Sequence, residues 1–572
     1  MIKNIITFYI ISLIFLFNIF GYGLLFKKLF KNIIELKIHE VGFFGFITIY
    51  LISNLIHFFI PLTKEVSYLF LFIGLICFFK FFDFKNYFIE KYFLSSLVLF
   101  LILALTINFH DDRYWYQLPY INYYQNYKTI IGVNALNFFF YGNSIYDIMS
   151  IFNIQKFPNS IIYIIPCTVI FFIFYFIFYE IKNKEFDHLL ILLFFFIFLI
   201  LFRYTRSKEY GADLFTMSFM FLVVYYSWKD NEKHNIDNLF KIFTLFTFSI
   251  FSKIYAIFIF FYPLYFFIKS SKTTFILIKK KSFLILIFLL LSVSFLKNYL
   301  HSSCLIYPIK FTCVSNNDWY NGDRVIERLQ AGGEASAKGF KNFIYQEKNP
   351  KLTPHEFLEK NKYTYIKYLI LDKDIERIVI LILILIITYF IFFRSLKFKI
   401  NKKYKSLFLL SVFSLIFWLL YLPQSRYGGN LIILTFLASF FSLINKYTSV
   451  KYDKISISFI CISLLFFSTK NFDRIYNQIV FSKKNNIQFP FKKFDNFSAT
   501  KKKLYNFDFM VSDHKRYCIN SNIMCVTNSN LESINKIELK KTFTLIIPNE
   551  DKLYLSLKKQ TYDHRLTFIN YK

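Results

Sequence analysis

Four short groups of polar residues could carry chemistry in a chain otherwise dominated by Phe, Ile and Leu. The first is His110-Asp111-Asp112-Arg113, followed at once by Tyr114-Trp115-Tyr116-Gln117-Leu118-Pro119-Tyr120. Adjacent carboxylates beside a His can take the proton of an attacking hydroxyl, and Asp111 with Asp112 could hold a divalent metal. An Asp at a helix start is an ordinary cap, and Tyr and Trp are ordinary at a membrane interface. A cap accounts for one Asp, not for His110, Asp111, Asp112 and Arg113 together. The second group runs from Arg203 through Arg206, Lys208 and Glu209 to Asp213. Arg206 and Lys208 suit an anion, above all phosphate, with Glu209 or Asp213 orienting them; the plainer reading is interfacial snorkelling. Lys253 is the third, alone in a turn, either snorkelling or touching a phosphate at the membrane surface. In the fourth, Pro423-Gln424-Ser425-Arg426-Tyr427-Gly428-Gly429, two of only 14 glycines adjoin an Arg. Glycine lets backbone approach closely, and Arg426, with Tyr427 beside it, could clasp phosphate through two parallel hydrogen bonds.

The elements that must position these groups are membrane helices. Of 572 residues, 82 are Phe and 43 are Tyr, hydrophobic residues make up 56% and charged residues 18%. A soluble domain carries about a quarter charged residues, so a large water-soluble enzyme is disfavoured, as are disorder and a disulfide scaffold. The net charge is +32, but the lysines cluster between apolar runs, which points to cytoplasmic loops facing anionic headgroups rather than to nucleic acid. A helix needs about 20 apolar residues to cross a bilayer, and the chain offers about 12–14 candidate stretches. They begin with 5–26, which is followed by no small-residue cleavage site, and end with 455–469. The stretch 239–268 would be about 45 Å long as one helix, so it is expected to turn back near Ser252-Lys253.

The fold class expected is therefore an all-α polytopic membrane protein with a large outer loop and a small α/β extracytoplasmic appendage at the C-terminus. The basic residues Lys27, Lys28, Lys31 and Lys37, Lys279, Lys280 and Lys281, and Arg394 through Lys405 fall on one set of alternate loops. That set is cytoplasmic by the positive-inside rule, which places both termini on the outer face. The expected organisation is a transmembrane region 1–299 with an outward acidic loop 110–158, a large extracytoplasmic loop 300–377, further helices over 378–469 and an outer appendage 470–572. Strand-like pieces, Phe507 to Val511 and Thr542 to Ile547, mark the appendage. Cys77, Cys167 and Cys461 lie in apolar runs, while Cys304 with Cys313 and Cys518 with Cys525 form two close pairs in outward segments. Two local disulfides are favoured there over a zinc site, because the pairs are far apart in the chain.

All four polar groups then face outward, with the spans nearly free of charge and Lys253 unpaired. Aromatic faces, cations and carboxylates in one outer cleft suit a lipid-linked phosphosugar, whose head projects outward while its polyprenyl tail stays in the bilayer. The chain resembles the GT-C superfamily of polytopic glycosyltransferases, in which an acidic residue of the first large outward loop is catalytic; Asp111 and Asp112 match it in character. It is more closely similar to a group of bacterial multipass proteins associated with surface-polysaccharide synthesis. That resemblance rests on His110-Asp111-Asp112 with Leu118-Pro119-Tyr120, Arg206-Ser207-Lys208-Glu209-Tyr210-Gly211, Lys297-Asn298 leading into Cys304-Leu305-Ile306-Tyr307-Pro308 with Cys313, and Arg426-Tyr427-Gly428-Gly429. It implies transfer of a sugar from a polyprenyl-phosphate donor to a glycan or lipid-linked acceptor at the outer face of the bacterial cytoplasmic membrane. Asp111, Asp112 and His110 would be catalytic. Arg113, Arg206, Lys208, Glu209, Asp213, Lys253, Arg426 and Tyr427 would hold the substrate. A polymerase or ligase would need the same donor contacts, whereas a flippase should carry polar residues along a path through mid-membrane.

The orientation is open to direct test. Cysteines introduced at residue 340 and at residue 400 should differ in reaction with a membrane-impermeant maleimide on intact cells. Labelling at 340 alone is expected; labelling at 400 from outside overturns the orientation.

Overall fold

The structure is a computed structural model. It describes residues 2–84, 90–106, 113–138, 140, 142–152, 159–182, 188–203, 212–230, 235–340, 352–360, 365–370, 375–376, 379–380, 382–383, 402–443, 452–485, 488–491, 498–512, 523–539 and 543–558. The described chain is mostly helical, with six short strands, five of them in the C-terminal region. Runs of Phe, Ile and Leu make the helices apolar on every side, which suits burial in a large core or in lipid. Helix Ile164–Lys182 is the extreme case: together with the turn before it, its apolar stretch is wholly buried among other helices.

Among the described residues, four helices are long and apolar enough to cross a membrane, Ile2–Leu29, Ile161–Lys182, Lys281–Ser302 and Tyr404–Tyr421. A fifth span is possible if Ile254–Lys269 and Ser271–Ile278, bent by 94° at Ser270, count as one. Others in the expected set are shorter: Val41–His57 has 17 residues and Lys91–Leu105 has 15. The turn expected near Ser252-Lys253 is present. Helix Ile236–Ser252 stops at Lys253, whose φ of −153° and ψ of 135° are extended, and a 3-10 turn, Ile254–Ile259, follows. At its other end Asn235 caps the helix by accepting the Asp237 N–H at 2.8 Å. Asp230 closes the preceding turn, accepting from the Asn235 N–H at 2.7 Å and from Asn238 Nδ2 at 3.0 Å. Helices Ala212–Lys229 and Ile236–Ser252 thus lie antiparallel, and Thr216 meets Ser252 at 2.7 Å.

The C-terminal region forms two three-stranded sheets. Strands β2 (Ala499–Leu504) and β3 (Phe507–Ser512) make a hairpin, and β4 (Cys525–Thr527) joins β3 in parallel. Tyr505 and Asn506 both have positive φ, the requirement of a tight two-residue hairpin turn. In the other sheet β5 (Ile534–Leu539) pairs antiparallel with β6 (Thr544–Pro548), and the far edge of β6 is taken by β1, Ile130–Ile131, running parallel.

That edge strand ties the tail to the body, so the tail is not a freestanding appendage. Phe138, Tyr307, Val325, Ile326, Leu329, Leu553 and Leu557 share one apolar cluster, drawn from three distant stretches of chain. Asn530 donates to the Leu136 carbonyl at 2.7 Å, the Met524 N–H donates to the Tyr127 hydroxyl at 2.9 Å, and Arg324 pairs with Glu550 and Asp551. Burial pushes the Tyr127 phenol pKa up. Cys304 and Cys313 are joined by a disulfide, Cys525 is also disulfide-bonded, and Cys518 lies outside the described residues. Cys77 and Cys167 are buried thiols.

Gly132 sits at this junction with φ +78°, and a Cβ there would lie 2.4 Å from the Ile546 carbonyl oxygen. Gly132→Val should therefore split β1 from β6 while the helical body persists. Limited proteolysis should cut the variant within 490–560 faster than the parent, with unchanged far-ultraviolet circular dichroism near 222 nm. Equal cutting rates would show that the junction does not hold the tail.

Candidate functional site

Asp213 of the second group, Lys253 and the Arg426-Tyr427 pair of the fourth come together at helix ends. Asp213 lies in the first turn of Ala212–Lys229, where the helix dipole favours an anion. Lys253, just past the end of the antiparallel neighbour, reaches Asp213 at 2.5 Å, with both side chains about one-fifth exposed. Lys253 is therefore not the unpaired residue expected from its place in the turn: packing the two helices side by side brings its partner to it. The Tyr255 hydroxyl donates to the Asp213 carbonyl at 3.3 Å, and the Tyr255 ring stacks on Tyr427 with centroids 5.0 Å apart.

Arg426 and Tyr427 open helix Ser425–Leu443. The guanidinium lies 4.7 Å from the centre of the Tyr427 ring, and its Nε donates to Gln424 Oε1 at 3.0 Å. Gln424 donates in turn to the Ser336 carbonyl at 3.2 Å, so this turn touches the helix Asp323–Ala337 of the large loop. Gly428 is needed for packing within the protein: a Cβ there would fall 2.4 Å from the Trp418 ring, and Trp418 Nε1 donates to the Gln424 carbonyl at 3.1 Å. The result is a stack of two tyrosines, Tyr255 buried and Tyr427 partly exposed, with Lys253 5.9 Å from the centre of the first ring and Arg426 beside the second. Cations beside an aromatic face suit an anion adjoining a sugar.

Arg113 starts a π-helical turn, Arg113–Gln117, with its guanidinium 4.2 Å from the centre of the Tyr114 ring. His110, Asp111, Asp112, Arg206, Lys208 and Glu209 lie outside the described residues. No group of three or more His, Cys, Asp or Glu suited to a metal occurs among the described residues.

Two buried ionic layers were not foreseen; they lie at the ends of the helical body, with aromatic rings between them. In the first, Asp147, fully buried on helix Ser144–Phe152, pairs with Lys297 of Lys281–Ser302, itself 3% exposed. Asp147 also accepts the Tyr120 hydroxyl at 2.8 Å and Asn54 Nδ2 at 3.1 Å. The Lys297 ammonium lies 5.4 Å from the Tyr124 ring centre and 5.8 Å from those of Tyr50 and Tyr120. Phe251, two residues before Lys253, packs on Phe295, two residues before Lys297, so this layer lies level with the Lys253 end.

The second layer is at the opposite end. Glu40 accepts from Lys241 at 2.6 Å and from the Tyr226 hydroxyl at 2.5 Å. Glu180 accepts from the Tyr225 hydroxyl and meets His39 at 3.2 Å, Lys229 at 3.5 Å and Lys37 at 3.8 Å. Sixteen residues of helix separate Lys281 from Lys297, about 24 Å of rise. Between the layers lie stacked and crossed rings, among them Phe46 with Phe215 at 4.9 Å and Phe219 with Phe248 at 4.9 Å. The signal was present in the sequence: an Asp and a Lys isolated within otherwise apolar helical stretches each demand a buried partner.

Residues 5–433 match the family model described as a domain of unknown function, DUF8201, and the chain belongs to that family. The matched span includes Asp147, Asp213, Lys253, Lys297, Arg426 and Tyr427, and ends before the strands β2 to β6. No curated protein and no solved structure matches the chain.

Gly428→Ala tests the packing of the tyrosine stack. The added methyl should force Trp418 and the Arg426 turn apart, costing about 1–3 kcal/mol as overpacked cores do. A lowered melting midpoint in detergent is expected, and an unchanged one would mean that the turn absorbs a methyl without loss.

Proposed function

We propose that this protein is a membrane glycosyltransferase that takes a sugar from a polyprenyl-phosphate donor at the outer face of the bacterial cytoplasmic membrane, in surface-polysaccharide or glycoconjugate synthesis. The observation that carries the reading is the partly exposed Tyr427, backed by buried Tyr255, with Lys253 and Arg426 beside the two rings at one end of the helical body. Lys253 and Arg426 would hold the donor phosphate, and the Tyr427 ring, with Tyr255 buried behind it, would face the sugar. Asp213 keeps Lys253 in place and moderates its charge. Asp111 or Asp112 would take the proton from the acceptor hydroxyl as the new glycosidic bond forms and the polyprenyl phosphate leaves, with His110 beside them.

The arrangement of buried charge supports transfer over transport. A translocation path should carry polar groups continuously through the body. The buried ion pairs among the described residues instead form two layers, separated by rings such as Phe46, Phe215, Phe219 and Phe248. Helices long and apolar enough to cross a bilayer fit the proposed location.

The test is transfer by purified protein in liposomes, using radiolabelled polyprenyl-phosphate sugars with and without a divalent-metal chelator. Asp111→Asn or Asp112→Asn should lower the rate by about 10²–10⁴-fold, the usual loss of a general base. Lys253→Met and Arg426→Gln should raise the donor KM. No transfer from any donor, or full activity of the double Asp variant, would overturn the proposal.

A further inference from the structure

At Ser270 the chain turns sharply and lays a short basic helix across one end of the molecule. The segment Ile254–Lys269, a 3-10 turn followed by nine helical residues, rises about 25 Å. That is close to the hydrocarbon thickness of a bilayer, about 30 Å. The next helix, Ser271–Ile278, turns away by 94°, so it runs across the axis of the one before it. Hydrogen bonds fix the corner on both sides. The Ser270 N–H donates to the Phe266 carbonyl at 3.0 Å, and the Thr274 N–H donates to the Ser270 carbonyl at 2.8 Å. A second corner follows at Lys280, whose carbonyl accepts the Phe283 N–H at 2.9 Å as helix Lys281–Ser302 begins. The Phe283 ring meets that of Phe240, the neighbour of Lys241, at 5.4 Å, so the elbow lies at the Glu40–Lys241 end, away from Lys253.

The side chains of Ser271–Ile278 divide by face. Thr274 and Leu277 are buried against the body. Lys272, Phe275, Ile276 and Lys279 stand three or four residues apart and so form one stripe. All four are exposed, Phe275 by 58% and Ile276 by 49%. The Lys279 ammonium lies 4.6 Å from the centre of the Phe275 ring. Phe267 and Ile268, just before the bend, are exposed as well, and exposed Lys280 and Lys281 extend the basic end. Lys272, Lys279, Lys280 and Lys281 have no carboxylate partner among the described residues, and the sequence holds no Asp or Glu between Asp237 and Asp318. An apolar stripe is ill suited to water, and uncompensated ammonium groups are ill suited to hydrocarbon. The boundary between the two, lined with phosphate, suits both.

We propose that Ser271–Ile278 is an interfacial helix that binds anionic phospholipid of the cytoplasmic leaflet. Phe275 and Ile276 enter the acyl boundary, while Lys272, Lys279, Lys280 and Lys281 hold headgroup phosphates. An elbow seated in this way fixes the depth of the crossing whose far end is Lys253. The inference requires the chain to cross a membrane and is independent of the reaction it performs.

The test is amide hydrogen exchange of the full chain in vesicles of phosphatidylcholine alone and of equal parts phosphatidylcholine and phosphatidylglycerol. Both leaflets have the same composition, so the direction of insertion does not matter. Amides of residues 268–282 should exchange at least about fivefold more slowly in the mixed vesicles, the weight of a single Lys at an anionic surface. Those of 164–182 should exchange equally in both. Salt at about 1 M, which shortens the Debye length to about 3 Å, should remove the difference. Lys279→Gln combined with Lys280→Gln should also remove it, and Lys279→Arg combined with Lys280→Arg should keep it. Phe275→Gln leaves every charge in place, so it should fold and insert as the parent does while 268–282 exchange faster in both vesicles. Equal exchange of 268–282 in the two vesicles overturns the inference and leaves the stripe to a protein partner. Undiminished slowing in the double Gln variant, or parental exchange in Phe275→Gln, overturns it as well. A chain that stays out of both vesicles removes the membrane reading along with it, whereas none of the other outcomes bears on sugar transfer.

Discussion

A charge inside an apolar helical body must find a counter-charge, because neither lipid nor a hydrophobic core can solvate it. Most of what organises this protein follows from that constraint. Lys241 needs Glu40, Lys297 needs Asp147, and the tyrosines around them donate to the same carboxylates. Each pair joins segments far apart in sequence, by 201 residues in one case and 150 in the other. The apolar helices could slide past one another with little change in buried area. The ionic contacts allow only one register.

The two layers divide the labour. One clamps the end where Glu40, Glu180 and several lysines gather. The other anchors, at the opposite end, the polar stretch that leads into β1. Tyr123 holds Ile130, Ile130 pairs with Thr544, and the tail sheet grows from that edge. Beside this anchor, helix ends bring Asp213, Lys253, Tyr255, Arg426 and Tyr427 into contact.

Part of this was legible residue by residue. Lys253, Arg426, Tyr427 and Asp213 stood out by type and place, since glycines are few in this chain and charges are sparse within its apolar runs. The break at Lys253 followed from helix length, and two strands of the tail from their alternating pattern. The partner of Lys253 was not legible, because the Asp213–Lys253 contact depends on how two helices are laid side by side. Nor was the purpose of Gly428, which receives the Trp418 ring where a phosphate contact had been a natural guess.

Composition, with long apolar runs bounded by lysines, pointed to helices that hide from water, and the described chain is mostly helical. Cysteine spacing likewise favoured the Cys304–Cys313 bridge over a zinc site, because nine residues of separation make closure local. Only the tertiary structure decided which charges meet, that Ile130–Ile131 completes the tail sheet, and that four separate stretches converge on Asp147. Local patterns report a residue's own neighbours along a helix or strand. Pairing across 150 residues is set by the packing of the whole body, and no local pattern encodes it.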